Sequence, residues 1–124
     1  MLMRTTDLTL AGPAEMARRL GISIKALRVY EQQGLVKPRR SRRGWRVYTP
    51  EDRDRLARAL DFKAMGFGLS QIATLLDAGP DAVAVALAGQ ETHLTGRRLA
   101  LDDALDALRD ARRRLGPPAL RLAA

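Results

Sequence analysis

The sequence contains no cysteine, which excludes disulfides, thiolate metal sites and thiol redox switches and fits a reducing cytoplasm. Aromatic residues are scarce, at 4% with a single Trp. A core must therefore come from Leu, Ala, Val and Ile, a composition that favours helices. His93 is the only histidine, and one ligand does not make a metal site. No apolar run approaches the roughly 18 residues of a membrane span, and the first seven residues hold no apolar h-region; the expectation is a soluble, cytoplasmic chain with no membrane partner. There is also no Gly-rich phosphate loop, no metal-spaced His or Cys set and no nucleophile with a base partner. No catalytic residue, metal or cofactor is expected, and the chain is not read as an enzyme.

What is present in excess is positive charge. Lys and Arg number 22 against 14 Asp and Glu, a net charge of +8. Residues 1–80 hold 15 basic and 8 acidic side chains, a balance of +7, whereas residues 81–124 hold 7 and 6, a balance of +1. Such an excess points to a polyanionic partner, and its placement assigns that partner to the N-terminal part. A chain of 124 residues has room for one compact core, or for a small head and an arm.

Local signals divide the chain into helices. Gly12, Pro13 and Glu15 open a first helix running to about Leu20, which Gly21 ends; Ser23 caps a second, running to about Gln33. Between Lys37 and Tyr48 helical periodicity disappears, and Pro38, a central Gly44 and the strand-forming Trp45, Val47 and Tyr48 indicate a hairpin. Thr49, Pro50 and Asp52 approximate a capping box for a third helix to about Ala64. Leu69, Ile72, Leu75 and Leu76 mark a fourth, ending before Gly79. From Pro80 a last helix carries Leu87, Leu94, Leu101, Leu108 and Leu115, one every seven residues, thickened by Ala104, Leu105 and Ala111. One chain cannot cover that stripe, so these six Leu are expected to form a homodimer contact. Gly89 and Gly96 lower helix propensity, and a bend or late ordering is expected there.

The first two helices are joined by a three-residue turn. Ala17 supplies a small residue at the crossing, Gly21 supplies the turn, and Met16, Leu20, Ile22, Leu27 and Tyr30 face inward. This is the internal pattern of a helix-turn-helix, with an ordinary helical hairpin as the alternative. If Leu27 and Tyr30 face the core, Lys25, Arg28, Val29 and Gln32 face outward, able to meet phosphates and base edges in a major groove. Residues 37–46 hold six cations and no acid, a density that repels itself unless an anionic surface lies nearby.

The runs Ala26-Leu27-Arg28-Val29-Tyr30-Glu31, Gly34-Leu35-Val36-Lys37-Pro38, Gly44-Trp45-Arg46-Val47-Tyr48, Met65-Gly66-Phe67 and Leu69-Ser70-Gln71-Ile72 together resemble the MerR family of transcription regulators. The resemblance implies a mainly α fold: a winged helix-turn-helix head of four helices with a small β wing over residues 8–79, then a long antiparallel coiled-coil dimerisation helix over 80–116 and a loose tail over 117–124. It also implies a homodimer on a two-fold related promoter operator in double-stranded DNA. Bending and untwisting that DNA would let RNA polymerase engage both promoter elements. By matching positions, Lys25, Arg28 and Tyr30 are expected as recognition-helix contacts, Arg39, Arg40, Arg42, Arg43, Arg46 and Tyr48 as wing contacts, and Lys63 as a further phosphate contact. Val29 stands where the family often has an aromatic, Trp45 where it usually has Tyr, and Gly68 where Ser or Thr is commoner. Alternative readings are a protein binding lipophilic small molecules near Met65 and Phe67, or an architectural DNA-binding accessory factor. Nothing in the residues names a small-molecule effector.

Overall fold

A computed structural model describes residues 10–117 of the chain. Five helices and one two-stranded hairpin follow in order: α1 Pro13–Leu20, α2 Ile24–Gln32, β1 Arg39–Arg40, β2 Arg46–Val47, α3 Pro50–Ala64, α4 Leu69–Leu76 and α5 Pro80–Leu115. None of these helices is long and apolar enough to cross a membrane. The chain forms two compact units that divide between Val83 and Ala84. The expected tail lies outside the described residues apart from Pro117.

The ends of the short helices follow from their terminal residues. Gly21 closes α1 in the left-handed conformation, φ 70°, so that the Ile22 N–H reaches back to the Ala17 carbonyl at 3.0 Å and satisfies an otherwise orphaned acceptor. Ser23 then caps α2, its hydroxyl accepting from the Ala26 N–H at 3.0 Å. Gly34 repeats the device at φ 78°, with the Leu35 N–H donating to the Tyr30 carbonyl. At the start of α3 the capping box is complete. The Thr49 hydroxyl accepts from the Asp52 N–H at 3.1 Å, and the Asp52 carboxylate accepts from the Thr49 N–H at 2.9 Å.

The core of the first unit gathers Met16 and Ala17 of α1, Leu27 and Tyr30 of α2, Leu56, Ala59 and Phe62 of α3, and Ile72, Leu75 and Leu76 of α4. Leu35, Val36 and Phe67 join from the connections, Phe67 meeting Phe62 edge-to-face at 5.9 Å. Complete burial of Leu27, Leu35, Leu56 and Ile72 stabilises the fold by about 1.5–3 kcal/mol each. Phe67 is thereby consumed by the core, and Met65, which follows α3, is exposed.

Arg55 of α3 fastens the connections. Its Nε donates to the Leu35 carbonyl at 2.6 Å, and its two terminal nitrogens donate to the Asp77 carboxylate at 2.7 and 3.2 Å. Those hydrogen bonds, with the charge behind them, hold the Asp77 carboxyl below its ordinary range.

The second unit is helix. α5 runs as one continuous helix through Gly89 and Gly96, with a contour length of about 54 Å; a helical glycine costs only about 1 kcal/mol, which a long helix absorbs twice. No residue of α5 is buried. Eight of the eleven exposed large hydrophobics of the described residues lie on it, including all six Leu of the proposed dimer contact, with Leu101 at 60% exposure.

Candidate nucleic-acid interface

α1 and α2 pack through Met16 and Ala17 against Leu27 and Tyr30, and this packing decides which way α2 faces. With Leu27 and Tyr30 inward, the helical period turns Lys25, Arg28 and Gln32 outward, and all three are exposed. Val29 is half-buried. Neither Lys25 nor Arg28 has an ion-pair partner among the described residues.

The hairpin lies beside this face because three links fix it there. Its strands pair antiparallel, Arg39 opposite Val47 and Arg40 opposite Arg46. The following residue, Tyr48, exchanges backbone hydrogen bonds with Ala11 just before α1, at 3.0 and 2.7 Å. Between hairpin and helix, the Arg46 Nε donates to the Glu31 carboxylate at 2.7 Å, with both side chains largely shielded from solvent. Partial burial makes that pair stiffer than a surface ion pair, since less water competes for it.

At the tip, the Ser41 hydroxyl accepts from the Trp45 N–H at 3.2 Å and Arg40 donates to the Gly44 carbonyl at 3.1 Å. Trp45 is 65% exposed, with the Arg43 guanidinium 5.6 Å from its ring centroid, within cation–π range. Arg39, Arg40, Arg42 and Arg43 are all exposed, so four cations line one short hairpin.

Three residues expected to touch DNA are buried or paired within the head. Tyr48 is fully buried and Tyr30 is 3% exposed, so both phenols belong to the core; their rings fill volume that the scarce aromatics must supply. The Tyr48 hydroxyl has no hydrogen-bond partner among the described residues. Burial, followed by the nearby Glu31 charge, raises its pKa. Arg46 is spent on Glu31 and positions the hairpin. Lys63, near the end of α3, is exposed and donates to the Tyr30 hydroxyl at 3.3 Å, which brings its charge to the α2 side of the head.

Glu31, Ser41 and Ala11 were not singled out by sequence reasoning. Glu31 left a readable signal: it is the only acid of α2, and an acid on a helix facing a polyanion is repelled unless a cation neutralises it. Ala11 and Ser41 left none, because their roles are backbone pairing and turn geometry.

The family model described as MerR HTH family regulatory protein matches residues 13–79. The chain belongs to the MerR family. The matched residues, which include α2 and the hairpin, carry the helix-turn-helix part for which that family of regulatory proteins is described. This MerR chain is similar to a probable heavy metal-dependent transcriptional regulator of Haemophilus influenzae, 44% identical over 64 residues that cover 51% of this chain and 50% of that protein. It is also similar to the transcriptional regulator CueR of Salmonella typhi, 34% identical over 65 residues, 52% of this chain and 47% of that one. The chain thus matches about half the length of these relatives. Among solved structures, the N-terminal part of the Bacillus subtilis multidrug transporter activator MtaN superposes with a TM-score of 0.76 at 27% identity, over 82% of this chain and 96% of that one. HiNmlR, a MerR family regulator lacking the sensor domain and bound to promoter DNA, superposes with a TM-score of 0.57 at 25% identity, over 86% and 91%.

Proposed function

We propose that the chain acts as a homodimer on a two-fold related promoter operator, with α2 in the major groove and the hairpin along the neighbouring phosphates. Lys25 and Arg28 meet the groove, Arg39, Arg40, Arg42 and Arg43 the backbone, and Lys63 a further phosphate. Tyr30, Arg46 and Tyr48 hold these groups in place and touch no DNA. Two such heads on one duplex bend and untwist it, which brings both promoter elements into reach of RNA polymerase. The observation that carries this reading is the outward face of α2: its two cations pair with no acid among the described residues, while its one acid is bound to the hairpin.

The test is a footprint or gel shift on the region upstream of the chain's own gene. Arg28→Ala is expected to weaken specific binding by about 1–3 kcal/mol, as loss of a groove contact does. Arg43→Ala is expected to weaken binding to all sequences alike and to flatten the dependence of log K on log salt by about one unit. Equal binding by both variants and the wild type would remove the proposed surface.

A further inference from the structure

The charges of α5 are unequally satisfied. Arg113 and Arg114 both reach Asp110, and Arg109 reaches Asp106, one helical turn back in each case. Arg112 has only Leu108 and Arg109 at the corresponding positions, and Glu91 has only Leu87, Ala88, Leu94 and Thr95 within a turn on either side. Neither Glu91 nor Arg112 can find an opposite charge on its own helix, since only residues three or four apart face one another, and neither has a partner among the described residues. Both lie on the same flank of the Leu stripe, four residues after Leu87 and four after Leu108.

We infer that Glu91 of one chain and Arg112 of the partner pair across an antiparallel α5 contact, twice per dimer, and thereby fix its register; this rests on the homodimer proposed above. The second copy is the fitting occupant because the apolar stripe complements itself, and the flanking charges answer one another only when the two copies run antiparallel. With Leu101 set against the partner's Ala104, Leu94 falls against the partner's Ala111, so large residues meet small ones in the central layers, while Leu108 and Leu115 fall against the partner's Arg97 and the partner's Gln90 nearer the ends. In that register Glu91 lies beside the partner's Arg112, and Arg98 lies beside the partner's Leu105. A shift of one heptad in either direction brings Arg98 against its own mate or against the partner's Arg112, two like charges at a contact. A parallel pair would set Glu91 beside the partner's Ala86 and Arg112 beside the partner's Ala107, and neither charge would be answered.

Charge exchange tests the pairing. Glu91→Arg and Arg112→Glu are surface changes, and unaltered helical circular dichroism verifies that each variant is folded. Each variant alone is expected to self-associate about tenfold more weakly than the wild type by sedimentation, because two attractions become two repulsions. Mixed in equal amounts, they are expected to form heterodimers above the random half in native mass spectrometry, with an affinity near that of the wild type. The double variant Glu91→Arg/Arg112→Glu is expected to recover the homodimer. A dimeric wild type whose single variants mix at random, or whose double variant is as weak as the single ones, would overturn the register while leaving the dimer intact. A monomeric wild type would overturn the dimer itself and the register with it.

Discussion

Glu31 and Tyr48 show how much a single side chain decides in this molecule. An acid on the helix proposed to face DNA is an electrostatic liability until Arg46 neutralises it at 2.7 Å, and the same bond then tethers the hairpin to the helix. Tyr48 sits two residues after Arg46, with its ring in the core and no hydrogen-bond partner for its hydroxyl among the described residues. An unsatisfied buried hydroxyl costs about 1–3 kcal/mol, so Tyr48→Phe is expected to leave the melting temperature at neutral pH unchanged or raised. The raised pKa of Tyr48 also has a direction in pH. The folded state keeps the phenol proton where the unfolded chain loses it, so stability is full below the ordinary tyrosine value of 10.0 and falls as pH rises above it. Thermal denaturation between about pH 9 and pH 11 is expected to show a smaller loss for Tyr48→Phe than for the wild type. An identical loss in both would place the alkaline sensitivity elsewhere.

The helices of the head are set by their ends, which is why they were legible. Gly21, Ser23, Gly34 and the Thr49–Asp52 capping box act within a few residues, and the end of α1, both ends of α2 and the start of α3 fall where those residues stand. Thr49→Ala removes the hydroxyl that accepts from the Asp52 N–H and is expected to cost about 1 kcal/mol, readable as a lower urea midpoint with an unchanged m-value. The hairpin was legible as a hairpin, from Pro38, Gly44 and the strand-forming residues around Arg46. Its attachment was not, since Ala11 and Glu31 are distant in sequence and reach it only after α1 and α2 have packed. Continuity of α5 was not legible: two glycines weaken a helix of 36 residues, and propensity by itself does not say whether it breaks.

For the whole molecule, the distribution of apolar surface matters most. The first unit buries most of its large apolar side chains, whereas α5 leaves five in-register Leu and the neighbouring Leu105 uncovered. A face of that extent on a lone helix favours association, with each Leu worth about 1.5–3 kcal/mol once covered. Leu101→Lys with Leu108→Lys is expected to convert a dimer at micromolar concentration into a monomer by sedimentation, with the head still folded. Such a monomer is expected to lose affinity for a two-fold operator far more than for a half-site, because linkage of two heads raises the effective concentration of the second. Unchanged mass in the double variant would show that α5 is not the dimer contact.

Sequence alone determined the helix order, the two short helices with their tight turn, the basic hairpin and the heptad stripe. Each of these is written in residues close along the chain, where caps, glycines and hydrophobic period act directly. Tertiary structure alone decided which of the expected contact residues are available. Tyr30 and Tyr48 are drawn inward because a chain with so few aromatics needs their volume in the core, and Arg46 is drawn to Glu31 because packing brings opposite charges together where water is largely excluded. Lys25, Arg28 and the remaining hairpin arginines stay outside, where no acid among the described residues pairs with them.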